Sequence, residues 1–300
     1  MLRQNKSGQT GQVLLIVILV IIVTLTIGLS LASRTLTSLR TSTEEADSQK
    51  ALAAAEAGIE KALQDTVANS GFFGSTSYDT VVVEQANKST FLLNGGSLIT
   101  QGEGADVWFA EHNPDGTVNF ANTPGRNPPF FHLFWGAPNE ENCDLLDSSK
   151  WPAAIEVIVV SGTSETAVSS TRHVFDLCDG NSVPQNRGND FEGAELISGG
   201  IVLAPGMPTF MIRTPGSGNT LISGGNLIFM RVVPIYKGTV IGIRACNNGG
   251  ANCTDLPSQG FEISSTGTTT KASRKITVFK GHKQSFLPYI SYVLFVPTRF

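Results

Sequence analysis

The sequence predicts an α+β fold: a long N-terminal helix, transmembrane in its first half and amphipathic in its second, followed by a β-rich, mostly antiparallel head. Three observations predict it. Val13–Leu31 reads VLLIVILVIIVTLTIGLSL, without a charge or a proline. From Ser33 to Val67 the chain holds no proline and a single glycine, Gly58, and keeps a helical spacing of apolar residues. Beyond residue 69, short apolar runs are punctuated by Gly, Pro and Asn, the pattern of many short strands. The expected organisation is a basic leader (1–11), a transmembrane half-helix (12–33), an amphipathic half-helix (34–68) and an extracytoplasmic head of one or two lobes (69–300).

The nineteen residues from Val13 to Leu31 span roughly 28 Å as a helix, close to the hydrocarbon thickness of a bilayer. The only polar side chains in the run are Thr24, Thr26 and Ser30. Their hydroxyls can return hydrogen bonds to the preceding turn, so lipid tolerates them. Arg3 and Lys6 precede the run, and the first acid in the chain is Glu44. The basic leader favours a cytoplasmic N-terminus, against Arg34 and Arg40 on the far flank. The expectation is a single-pass protein with N inside and C outside. Three fates suit such an N-terminus: a signal peptide removed after Ala32, an uncleaved anchor, or cleavage ahead of the apolar run at Gly11 (leaving Gln12 first) or at Gly8 (leaving Gln9 first). The run is longer than the ~7–15 residues of a usual signal-peptide core.

Leu52, Ala55, Ile59, Leu63 and Val67 step by three or four and form one apolar stripe. Arg40/Glu44 and Lys61/Asp65 are opposite charges at i,i+4. A single helix from about Gln12 to Val67 would be roughly 80 Å long. Thr41–Thr43 is its weakest stretch, because β-branched and hydroxyl residues are poor helix formers. Two helices joined there are the alternative. Thr24, Gly28 and Ala32 form a small-residue stripe on which a neighbouring helix could approach closely. Chance placement of small residues explains it equally well.

Composition narrows the function. Of 300 residues, 41% are hydrophobic and 15% charged, with a net charge of −4. This excludes a disordered chain and a nucleic-acid binder acting through bulk positive charge, so no nucleic-acid partner is expected. No G-x-S-x-G, H-E-x-x-H, P-loop or dinucleotide fingerprint is present. Neither an enzyme nor a cofactor is therefore expected. The four histidines (112, 132, 173 and 282) are scattered and read as ordinary polar residues.

Strands are expected over Thr80–Glu84, Ala105–Ala110, Phe130–Trp135, Ala154–Val160, Thr171–Leu177, Gly200–Leu203, Thr209–Arg213, Leu227–Val233, Thr239–Arg244 and Arg274–Phe279. The aromatic run from Phe130 to Trp135 reads as a strand buried beneath the long helix. Leu196–Gly200 and Leu221–Gly225 repeat the sequence LISGG and read as two similar turns. Asn113-Pro114-Asp115-Gly116 is a turn and not a calcium loop, since acidic ligands at alternate positions are missing. The four cysteines, Cys143, Cys178, Cys246 and Cys253, all follow the apolar run. An even number outside the cytoplasm favours disulfides. Cys246–Cys253 would close a short Gly/Asn-rich loop, and Cys143–Cys178 would join the flanks of the 154–160 strand. Three pairings remain open. No Cys-x-x-Cys and no nearby His supports a metal site.

Three segments carry a family resemblance. Gly11-Gln12-Val13-Leu14-Leu15 is similar to a prepilin leader–helix junction. Ala54-Ala55-Glu56-Ala57-Gly58-Ile59-Glu60 resembles a pilin helix signature. Gln259–Gly267 followed by Arg274–Val278 resembles a terminal strand pair. Together they resemble type IV pilins and pseudopilins, most of all the PilX-type minor pilins. The resemblance is good over the N-terminal third and loose over the head. It implies a pilin-like fold and cleavage by a prepilin peptidase. It also implies partners: other pilin subunits through the N-terminal helix, membrane lipid, and the pilus assembly machinery. The expected location is the bacterial cytoplasmic membrane and then an extracellular filament or the cell surface. One departure matters. The family usually places a glutamate five residues past the cut, where this chain has Ile16, and no carboxylate occurs before Glu44. That favours a priming, tip or low-copy component over a major subunit. The competing reading is a membrane-anchored surface adhesin or ligand-binding ectodomain with no filament role.

Overall fold

The computed structural model describes residues 10–121, 123–140, 143, 151–178, 187–215, 225–247 and 249–282. Among the described residues there is one α-helix, α1 (Thr10–Asp65), and then strands. These are β1 (Ser70–Phe73), β2 (Thr76–Glu84), β3 (Thr90–Leu92), β4 (Ala105–Trp108), β5 (His132–Trp135), β6 (Ala154–Ser164) and β7 (Ala167–Asp176). The remainder are β8 (Glu192–Gly193), β9 (Glu195–Val202), β10 (Thr209–Arg213), β11 (Leu227–Ile235), β12 (Gly242–Arg244), β13 (Gly260–Thr268) and β14 (Ser273–Gly281). The α+β class is the one the sequence predicts. A four-stranded sheet has the order β1-β2-β13-β14, and two five-stranded sheets have the orders β3-β12-β5-β10-β9 and β4-β11-β6-β7-β8. The chain divides into two compact units, 1–81 with 264–276, and 82–263 with 277–300.

In the first unit, α1 runs unbroken through Thr41–Thr43. The predicted weak point does not break the helix, and its threonine hydroxyls are taken up within it. Thr37, Thr41 and Thr43 each return their hydroxyl to the carbonyl four residues back, at 2.9, 3.0 and 2.8 Å. The helix is already formed at Thr10, the first described residue, and ends at Asp65, where Thr66 turns to φ 54°. The predicted Arg40–Glu44 pair forms at 3.1 Å. Lys61 and Asp65 make no ion pair, whereas Lys50 lies 3.8 Å from Asp47.

The apolar stripe needs correction. Leu52, Leu63 and Val67 are exposed, and the buried face is Ala51, Ala54, Ala55, Gly58, Ile59 and Ala62. The reason is close packing. Against this face lie Tyr78 and Thr80 of β2 and Ser265 and Gly267 of β13, alternate residues that point to one side of each strand. A Cβ on Gly58 would come within 2.8 Å of Tyr78 Cδ2 and would also collide with Ser265 Oγ. A Cβ on Gly267 would come within 2.7 Å of Ala55 N and overlap the Ala51 carbonyl oxygen. Leucines cannot enter a seam this tight. The Arg274 guanidinium donates to Ser48 Oγ at 2.8 Å and extends the seam by one turn.

In the second unit the two five-stranded sheets share a core. Phe91, Leu133, Trp135, Ile212 and Ile243 from one meet Val107, Ile155, Val157, Val159, Met230 and Val232 from the other. A second cluster, with Ile158, Val160, Ile228, Phe229 and Trp108, covers the opposite face of the β4–β8 sheet. Strands β6 and β11 are thus buried on both faces and pair antiparallel, Val157 with Val232 and Val159 with Met230. Two-sided burial explains why both read as continuous apolar runs and not as alternation. Every described register is antiparallel except β7–β8.

Several expectations shift. Thr239–Arg244 contracts to Gly242–Arg244, while β2, β6, β7 and β14 extend beyond the predicted segments. The short strands β1, β3 and β8 carry no sequence signal of their own. Phe131, Leu133, Phe134 and Trp135 are buried as expected, but the core around Phe131, Leu133 and Trp135 belongs to their own unit and not to the helix. Leu196–Gly200 is no turn: it lies inside β9. Gly199 and Gly200 adopt φ 76° and 71°, and the β9–β10 register shifts between Phe210 and Ile212, so the glycines mark a bulge. Of its repeat, Leu221–Gly224 lies outside the described residues.

Candidate functional site: the exposed helix and its seam

From Leu14 to Ala46 every residue of α1 is exposed, around the whole circumference of the helix. Leu14, Ile22, Leu29 and Leu36 are 65%, 57%, 63% and 68% accessible. A soluble helix hides at least one stripe; this segment hides none. By length and composition it is a candidate membrane span. Both threonines of the apolar run are satisfied within the helix: Thr24 Oγ1 donates to the Val20 carbonyl at 2.7 Å and Thr26 Oγ1 to that of Val23 at 2.8 Å. These two hydroxyls therefore do not have to be desolvated without a partner.

Thr24, Gly28 and Ala32 are exposed, and the position a Cβ would take at Gly28 has no neighbouring atom within 4 Å. The stripe is open to an incoming helix. Gly11 and Gln12 lie in the first turns of α1, while Gly8 and Gln9 lie outside the described residues. Cys143 is bonded to Cys178 and Cys246 to Cys253, with Cα separations of 5.4 and 4.0 Å. The first crosslink ties the end of β7 to the segment after β5. The second closes the loop in which Ala251 N donates to Asn247 Oδ1 at 2.8 Å. Among the described residues, no group of three His, Cys, Asp or Glu is placed to hold a metal.

Sequence reasoning passed over one constellation in the second unit. His112 and His282 stack with ring centroids 4.0 Å apart and planes 14° apart, and the edge of Trp108 meets His112 at 4.3 Å. Burial, and then the neighbouring His282, lowers the His112 pKa to about 4. Burial likewise lowers His282. A separation of 170 positions hides the pair from any local pattern. Two further charged groups are structural. Asp176, fully buried, accepts from Arg187 at 2.7 Å and from Asn189 at 2.8 Å. Asp106 and Arg231 pair directly across β4 and β11 with contacts of 2.8 and 3.0 Å.

Comparison with protein-family models, with curated proteins and with solved structures finds no match.

Proposed function

We propose that this chain is a membrane-anchored, low-copy subunit of a type IV pilus or related filament, similar to PilX-type minor pilins, with a priming or tip role. One observation carries the reading. A single helix is apolar and unpartnered around its whole circumference over its first half, and its second half is fused to a β-rich head through a seam of small residues. Such a helix gains little by leaving lipid for a bundle of equally apolar helices, so transfer between the two is nearly balanced. Assembly machinery can then drive it in either direction. The Thr24–Gly28–Ala32 stripe supplies a surface for sister helices. The absence of a carboxylate before Glu44 removes a buried charge that would need a partner. In this reading a prepilin peptidase cuts after Gly11 or Gly8. The subunit then stands in the bacterial cytoplasmic membrane with its head outside until it enters the filament.

Mass spectrometry of the protein from purified membranes tests the proposal. A mature N-terminus at Gln12 or Gln9, N-methylated, supports it. An intact Met1 or Leu2 supports a plainly anchored adhesin or ectodomain. A start at Ser33 means the helix is discarded and overturns the filament role.

A further inference from the structure

The second unit holds a cavity of about 220 Å³ that the helix reading does not use. Its polar wall is a relay of hydrogen bonds. Lys88 Nζ donates to Gln85 Oε1 at 2.8 Å, and Gln85 Nε2 donates to Glu262 Oε2 at 3.2 Å. An ammonium has three donors and a carboxylate about four acceptor positions. The relay occupies one of each, so Lys88 brings further donors to the cavity and Glu262 further acceptors. The wall behind is rigid. Gln259, 4% exposed, bonds both the N–H and the carbonyl of Trp108 at 2.8 Å. The remaining lining is mixed: Thr90, Asn94 and Asp106 are polar, while Leu92, Met207 and Phe279 supply an apolar face. Phe279 is backed by Gly95, where φ is +62° and a Cβ would stand 3.3 Å from the Phe279 Cβ.

Charge and size select the ligand. The Asp106 carboxylate on the cavity wall is neutralised by Arg231, and Glu262 is balanced by Lys88 through Gln85. The wall is therefore neutral as a whole, and a ligand gains nothing overall from carrying a net charge of either sign. Adjacent donors and acceptors suit hydroxyl groups, which do both. The apolar lining suits the C–H face of a ring. The volume is below the ~300–1,000 Å³ of sites for drug-sized molecules, so one ring fits. The geometry points to a carbohydrate subsite for a single neutral pyranose, with Lys88, Gln85 and Glu262 bonding its hydroxyls and Phe279 against its ring.

The site is independent of the filament reading and is tested by sugar binding. Full-length protein in detergent is titrated with methyl glycosides of glucose, galactose, mannose and N-acetylglucosamine, with binding read by saturation-transfer NMR. The expected result is millimolar binding of at least one, weakened about tenfold or more by Glu262→Gln and by Lys88→Met. Thermal melts matching the parent establish that both variants fold. If no neutral glycoside binds at ~10 mM, if both variants bind as well as the parent, or if only charged sugars such as methyl glucuronide or glucosamine bind, the assignment is overturned.

Discussion

Arg126 is 1% exposed, and its guanidinium meets backbone carbonyls and the Phe120 ring, 5.8 Å away, in place of a carboxylate. Its guanidinium donates to the backbone oxygens of Leu227 (3.0 Å), Phe120 (2.5 Å), Asn226 (3.0 Å) and Gly162, so one side chain gathers three separate stretches of chain. Burial pushes its pKa down, yet a guanidinium keeps its proton. Replacing it with Met strands those carbonyls in the interior. We expect a loss of about 3–5 kcal/mol in urea unfolding, with Lys only partly restoring it because it lacks the planar fork. The stacked histidines give a second prediction at this scale. Burial and the neighbouring His282 hold the folded pKa of His112 at about 4, below the ordinary histidine value of 6.5. Above pH 6.5 neither state is protonated and the packing contribution is complete. As pH falls below 6.5 the unfolded chain takes up protons first, so stability declines until about pH 4, where the folded form is protonated too. Melting temperature followed from pH 7 to pH 4 should fall, and His112→Phe should flatten that slope.

At the scale of the element, the seam of α1 makes a prediction that the sequence pattern alone would reverse. Leu52 and Leu63 are 41% and 38% exposed, whereas Ala55 is fully buried. Leu52→Gln and Leu63→Gln should each change the stability of the detergent-solubilised protein by no more than about 0.5 kcal/mol. Ala55→Gln and Gly267→Ala should each cost about 2 kcal/mol or more, since the added atoms meet helix or strand backbone. Equal effects at Leu52 and Ala55 would refute the observed face. The same element shows how much was legible. Helix length, its apolar half and its hydroxyl-rich middle follow from spacing and composition. Which face is buried does not, because hydrophobicity ranks Leu above Ala while close approach ranks Ala and Gly above Leu.

For the whole molecule, crosslinking and anchoring carry the predictions. The Cys143–Cys178 bond spans 35 residues and Cys246–Cys253 spans 7. Loop-closure entropy gives about 4 kcal/mol for the first and about 2 kcal/mol for the second. Removing Cys143 and Cys178 together should therefore lower the denaturation midpoint more than removing Cys246 and Cys253. Deleting residues 1–33 removes the exposed apolar half of α1 and leaves Ala51–Ala62 in place. The shortened protein should leave the membrane fraction and stay folded, as judged by fractionation and circular dichroism.

From the order of residues alone came the membrane-length helix, its continuation to about residue 67, a head of many short strands, and cysteines even in number. Each is a local property of composition or period. The tertiary structure decided what joins segments far apart: the partner of each cysteine, the strands that share a sheet, the carbonyls gathered by Arg126, the His112–His282 stack and the relay from Lys88 to Glu262. Contacts of this kind depend on how the backbone folds back on itself, and the spacing of neighbouring residues holds no record of that path.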